Sequence, residues 1–283
     1  MDHLAYYELN EEPFSIVPLT NFYYHNDQHD QAFLRLRRAV DAMKGLAVLV
    51  GEIGTGKTLL ARRLLEALPE SEFECSMLVV LHADVTSDWL VRRIASQFGV
   101  DGSAGSKVDV IGRLFERLNS IAEEGRRAVI IIDEAHMLRS REVLEELRGL
   151  LNLELSSSKL ISFVMFGMPE LDACLLADPA LKQRVAVRFE LKNLPPEVVV
   201  DYVRFRLFHA GSSKQVFSAE SLGRIYDLSR GNPRLVNVIA DNALFEGYVR
   251  RAPLPLAPDI VDAVGQDLCL PPLVPADDIA ERR

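Results

Sequence analysis

Apolar residues gather in five short runs within the first two thirds of the chain, at 46–50, 77–81, 128–132, 160–166 and 185–191. The first four, short and nearly uniform, predict strands covered on both faces, the pattern of a parallel sheet, and 185–191, interrupted by Arg188 and Glu190, reads as a fifth strand. Between them the apolar positions recur at intervals of three and four, the period of an amphipathic helix. One such stretch, 29–43, puts Ala32, Phe33, Leu36, Ala39, Val40 and Met43 on one face and Arg35, Arg37 and Arg38 on the other. Others run over 59–68, 88–98, 108–123 and 140–153. Strands alternating with helices predict an α/β domain with a doubly wound parallel sheet, its site at the carboxyl edge of the strands.

Past Leu194-Pro195-Pro196 the strand-like runs stop. Helical spacing continues over 196–210, 218–229, 233–248 and 259–268, with Ser218 as one cap and Asn232-Pro233 as a cap followed by proline in the first turn. The change divides an α/β domain over 46–194 from an all-helical domain over 195–268. Residues 269–283, with Pro271, Pro272 and Pro275, read as a flexible tail. The start differs again: Tyr6, Tyr7, Phe14, Phe22, Tyr23 and Tyr24 crowd into an extended stretch broken by Pro13 and Pro18. With the helix that follows, residues 1–45 are expected to pack on the α/β core; aromatics there can also close over a nucleotide base.

Composition alters this picture only at its margins. A chain of 283 residues, 48% hydrophobic and 26% charged, is an ordinary globular protein of about two domains. No apolar run approaches the ~18–20 residues that span a bilayer. No basic stretch followed by an apolar core opens the chain, so no signal peptide is expected. Cys75, Cys174 and Cys269 are isolated and odd in number, which predicts small buried hydrophobes in a reducing cytoplasm. The histidines show no ligand spacing, so no transition metal is expected. The formal charge of −9, with six acids and no Lys or Arg in residues 1–30, weighs against non-specific nucleic-acid binding.

The chemistry begins where the first apolar run ends. Gly51-Glu52-Ile53-Gly54-Thr55-Gly56-Lys57-Thr58, followed by Leu59 and a helical pattern, is a phosphate-binding loop in its proper strand–loop–helix context. Its glycines let consecutive N–H groups turn inward around phosphates. Lys57 brings a charge to the β- and γ-phosphates, Thr58 a hydroxyl to Mg²⁺, and the helix N-terminus its partial positive charge. The run 128–132 ends in Asp133-Glu134, two carboxylates that are costly at a buried edge without a cation. Asp133 is placed to hold the Mg²⁺ shell, and Glu134 to orient and deprotonate an attacking water. A helicase reading of Asp133-Glu-Ala-His136 needs two tandem motor domains, and only one α/β domain fits; His136 is then a local packing or hydrogen-bonding residue.

Together with Pro13-Phe14, Phe22-Tyr23, Gly167-Met-Pro-Glu-Leu171, Leu181-Lys-Gln-Arg184 and Ser229-Arg-Gly-Asn-Pro-Arg-Leu-Val-Asn237, these motifs resemble the AAA+ ATPases, and more closely the ExeA/GspA-type secretion ATPases. The resemblance runs from about residue 6 to 248 and concerns the ATPase module. It implies a P-loop fold with a five-stranded parallel sheet and a C-terminal helical lid. It implies that Arg234 reaches the γ-phosphate from the lid, and that Arg184, or alternatively Arg188, is offered as a finger to a neighbouring subunit. One position departs from the pattern: Met168 stands where the family has a glutamine, and a thioether is a poor partner for phosphate or water. Either Ser162 or Glu170 substitutes, or hydrolysis is slow.

The resulting expectation is an Mg²⁺-ATP-dependent ATPase, cytoplasmic or peripheral to the inner membrane through a partner. It oligomerises as a ring or filament, hexamer-like, and drives or switches assembly or export of a secretion, pilus or polysaccharide system. Larger members of the family continue into membrane-spanning and periplasmic regions, so an envelope role here is expected to run through a protein partner without direct membrane insertion. Two alternatives stand beside it. One is a DNA-associated regulator resembling the TniB/TnsC transposition ATPases, supported by Arg35, Arg37, Arg38 and the pairs Arg62-Arg63, Arg92-Arg93 and Arg126-Arg127. The other is a scaffold switched by nucleotide without hydrolysis.

Overall fold

The computed structural model describes residues 3–17, 20–155 and 158–271; Pro18 and residues 272–283 of the expected tail lie outside the described residues. The chain forms two compact units: one of Asp27–Ile53 and Lys57–Leu191, the other of Met1–Asn26, Gly54–Gly56 and Lys192–Arg283.

The first unit is built on five parallel strands: β1 (Leu46–Gly51), β2 (Phe73–Val79), β3 (Arg127–Asp133), β4 (Ile161–Gly167) and β5 (Val185–Leu191), in the order β2-β3-β4-β1-β5. The three central strands, β3, β4 and β1, are buried almost throughout, which is why their sequences are continuous apolar runs with no alternation. β5, at one edge, alternates half-buried with exposed residues. β2, at the other edge, starts at Phe73, earlier than its apolar run suggests. Its four middle residues are half-buried on both faces, so Glu74 and Ser76 are tolerated there, and Leu81 beyond its end is exposed. The helices of this unit are α1 (Asp27–Asp41), α2 (Lys57–Glu66), α3 (Ser87–Gln97), α4 (Lys107–Glu123), α5 (Arg141–Leu150), α6 (Glu170–Leu176) and α7 (Pro179–Lys182). Ser106 begins α4 with a reciprocal capping box to Asp109.

The second unit carries α8 (Pro196–His209), α9 (Ala219–Ser229), α10 (Pro233–Val249) and α11 (Pro258–Asp267). Its core joins Val203, Ile225, Ile239 and Val261 to Tyr7, Phe14 and Phe22 from the start of the chain. The expectation that the aromatic lead-in packs on the α/β core is therefore corrected: residues up to Asn26 belong to the helical unit. The reason is a buried cation. Arg206 on α8 is 5% exposed, donates to the Pro13 carbonyl and to Tyr202 Oη at 2.9 Å, and lies 4.8 Å over the Phe22 ring. Tyr7 Oη donates to the Leu244 carbonyl at 2.8 Å. No helix among the described residues is long and apolar enough to cross a membrane. The cysteines depart from expectation too: Cys75 and Cys174 are half-buried, and Cys269, just past α11, is exposed.

Candidate active site

β1 delivers the glycine loop. Gly54 and Gly56 adopt φ of +84° and +98°, the left-handed region in which a side chain is strained. Gly54 to Gly56 group with the helical unit, and within it the Arg234 N–H donates to the Gly54 carbonyl at 3.3 Å. A Cβ on Gly54 would lie 2.4 Å from Asn232 Oδ1, so no other residue fits. Asn232 caps α10 by accepting from the N–H groups of Arg234 and Leu235. The Arg234 side chain is exposed.

In the sheet unit, Lys57 opens α2 with its ammonium drawn under the loop. Nζ donates to the carbonyls of Gly51 and Glu52, at 2.8 Å each. Two of its three protons are thereby committed, and the group is aimed by backbone. Burial pushes the Lys57 ammonium below the ordinary lysine range, opposed by the nearby charges of Glu134, Asp133, Glu52 and Glu170. Such a site favours an anion that would restore the charge.

β3 delivers the carboxylates. Asp133 is 2% exposed; its Oδ2 accepts from the Thr58 hydroxyl at 2.8 Å and its Oδ1 from the Glu134 N–H at 3.0 Å. Glu134 has φ 56° and ψ 34°, a left-handed conformation that costs a non-glycine residue about 1–3 kcal/mol and recurs at functional sites. The turn throws its side chain out of the sheet edge, half-exposed, with Oε2 at 3.4 Å from His136 Nδ1. β4 runs between β3 and β1, so Met168, just past its end, comes between the two halves of the site. The Met168 N–H donates to His136 Nδ1 at 3.4 Å.

Not every named residue arrives here. Ser162 lies at the far end of β4, its hydroxyl accepting from the Gly45 N–H, roughly 16 Å of strand away from Gly167. It cannot stand in for a polar residue at 168. Glu170, exposed at the start of α6, lies within the electrostatic reach of Lys57. Arg184 precedes β5 and is half-buried, with one guanidinium N–H on the Arg148 carbonyl at 3.5 Å. Arg188 is exposed on β5 and grips Asp172 through two hydrogen bonds, with Glu190 beside it. Those hydrogen bonds, Asp172 first, push its guanidinium still further up. The register pairs Val48 with Arg188 and Gly51 with Leu191, so Arg184 is on the order of 20 Å of strand from the loop. His136, 3% exposed, is a packed and hydrogen-bonded residue as its sequence context suggests, and its two Nδ1 contacts put it beside Glu134.

A lysine-bearing glycine loop and an Asp-Glu pair at the carboxyl edge of a β2-β3-β4-β1-β5 sheet define a P-loop ATPase of the AAA type. Residues 40–175 match the family described as AAA domain. General secretion pathway protein A of Aeromonas hydrophila is 36% identical over 254 residues, covering 88% of this chain and 45% of that protein. The chain thus belongs to the AAA+ ATPases, with an ATPase module of the General secretion pathway protein A type, and spans about half the length of that relative. Among solved structures, Cdc6p from Pyrobaculum aerophilum superposes with a TM-score of 0.68 at 18% identity, over 96% of this chain and 73% of that one. The Aeropyrum pernix ORC1 protein in complex with DNA gives 0.66 at 18% identity, over 91% and 69%. At that identity the likeness is one of fold.

Proposed function

We propose that the chain binds Mg²⁺-ATP, hydrolyses it within an assembly of several copies, and so drives or switches construction of a cell-envelope system through a protein partner. The observation that carries the chemistry is the Thr58–Asp133 hydrogen bond of 2.8 Å. It joins residues 75 positions apart and sets the loop and the carboxylate pair on one edge.

The donor set suits the metal. Thr58 Oγ1 and Asp133 Oδ2 are hard oxygens, and the buried Asp133 carboxylate accepts from two neutral donors, a costly arrangement that a cation relieves. Mg²⁺ is ordinarily held by one or two protein oxygens, phosphates and water, and Thr58 and Asp133 are the two protein oxygens available here. Bound there, Mg²⁺ would neutralise developing charge on the phosphates. Lys57 holds the β- and γ-phosphates, Glu134 accepts a proton from the attacking water, and Arg234 and Arg184 answer the γ-phosphate from the lid and from a neighbouring copy. The envelope role rests on the relative's name, and a cytosolic location, peripheral to the membrane through the partner, follows from it.

A second reading, DNA association, has one specific observation in its favour. Arg35, Arg38 and Lys44 line a cavity of about 320 Å³ between α1 and β5, beside Arg188, whose charge Asp172 and Glu190 already meet; the first three supply cationic charge suited to phosphate. Five of the other arginines offered for DNA are committed elsewhere. Arg37 bonds Asp41 and the Ala67 carbonyl, Arg92 bonds Asp88, Arg126 is paired with Glu124 and Glu74, Arg127 with Glu72, and Arg63 stacks over Phe33. The deciding experiment is ATP turnover against protein concentration, with and without DNA, for the wild type and Glu134→Gln. A supralinear rise without DNA, abolished by Glu134→Gln while ATP still binds, is the expected result. Turnover surviving in Glu134→Gln would remove the hydrolytic assignment. Stimulation by DNA that falls steeply with salt would favour the second reading.

A further inference from the structure

His136 Nδ1 has two partners and one position for a proton or a lone pair. The Met168 N–H donates to it at 3.4 Å, and Glu134 Oε2 lies at the same 3.4 Å. With the proton on Nε2, the imidazole accepts from Met168 and offers the glutamate nothing. With the proton on Nδ1, it donates to Glu134 and leaves the Met168 N–H without its acceptor. The two contacts exclude one another.

The setting holds the ring in this place. His136 is buried in the 3-10 turn Ala135–Met137, and its carbonyl accepts from Arg139 Nε at 3.3 Å and from Cys174 Sγ at 3.7 Å. A Cβ on Gly167 would lie 3.1 Å from the His136 amide nitrogen, so glycine there lets the end of β4 press directly on the turn. Glu134 takes the opposite position: its strained left-handed backbone fixes where the side chain starts, while the carboxylate is half-exposed.

We propose that His136 is the positioning residue for Glu134, with its Nδ1 shared between the Glu134 carboxylate and the Met168 amide. Through the imidazole, the end of β4 acts on the carboxylate without a polar side chain at position 168. When Met168 withdraws, Nδ1 donates to the Glu134 carboxylate and aims it at the attacking water; when Met168 engages Nδ1, the carboxylate loses that support. This rests on the hydrolytic reading of Glu134.

The test compares His136→Asn with His136→Gln by steady-state kcat and KM for ATP, alongside thermal unfolding. Asparagine sets its polar atoms near the position of Nδ1, and glutamine near that of Nε2. The expected result is an Asn variant within about threefold of wild-type kcat and a Gln variant slower by about tenfold or more, both with KM and melting temperature unchanged. Adding Met168→Gln to His136→Gln restores turnover, because an amide at 168 then reaches Glu134 directly. Equal kcat in the Asn and Gln variants, or losses that follow melting temperature, would overturn the proposal. Glu134→Gln, run in parallel, separates the two failures: if it turns over ATP, the hydrolytic reading falls and not merely the role of His136.

Discussion

Lys57 shows how one side chain can be expensive to the fold and indispensable to the site. The residue is 7% exposed, and burial lowers the proton affinity of its ammonium against the pull of four carboxylates. A lysine whose folded pKa lies below its unfolded value costs stability while protonated; the cost is full below the folded pKa and fades as pH rises through it. The two carbonyl contacts at 2.8 Å offset part of that cost. Lys57→Ala removes cost and contacts together, so the nucleotide-free protein should melt close to wild type. ATP at about a hundred times Kd stabilises the wild type by about 2.7 kcal/mol, a rise of about 5–10 °C for a chain of this size. In Lys57→Ala that rise should vanish, as a thermal shift assay with and without ATP will record. A full nucleotide shift in the variant would contradict the phosphate contact.

At the scale of elements, the buried Arg206 explains a packing that periodicity does not announce. The buried stripe of helix α8 is Val199, Tyr202, Val203, Arg206 and Leu207, so one of its positions is a cation, and that cation meets the aromatic lead-in. Removing the guanidinium in Arg206→Met strands the Pro13 carbonyl, takes one donor from the Tyr202 hydroxyl, which keeps its bond to Asn237 Oδ1, and loses the contact over Phe22, at a cost of about 2–4 kcal/mol. Urea unfolding should show that loss together with faster proteolysis ahead of Asn26, and wild-type stability would mean the lead-in is held by its aromatics alone. The same contrast marks what the sequence could disclose. Strands β1, β3 and β4 were legible because burial on both faces leaves no room for polar residues. Edge strand β2 was misplaced by several residues because its half-buried middle admits Glu74 and Ser76 and breaks the apolar run, and α6 and α7 escaped because seven and four residues hold too few turns to show a period. The loop and the Asp-Glu pair could be read from spacing. The place of His136 could not, since it depends on β4 lying between β3 and β1, a crossing that no local pattern encodes.

For the molecule as a whole, the open question is what completes the site. The register of β5 against β1 fixes Arg184 at the end of the sheet opposite the glycine loop, so within one chain it cannot meet the γ-phosphate. Arg188 is nearer to the loop along the strand, but its guanidinium is engaged with Asp172 and Glu190. Arg184 makes one long contact with a carbonyl and is the better placed of the two to serve a second copy. Mixing Arg184→Ala subunits with Glu134→Gln subunits puts this to a quantitative test. Each variant alone is inactive, the first for want of a finger and the second for want of a base. In a random cyclic assembly, about half the sites keep Glu134 and about half of those face an intact Arg184, so about a quarter of wild-type turnover should return. The recovery should rise with total protein concentration, since a site shared between copies exists only when they associate. If the mixture stays inactive while Arg188→Ala mixed with Glu134→Gln recovers, the finger is Arg188; if neither mixture recovers, the site is completed within one chain and the shared-site assembly fails.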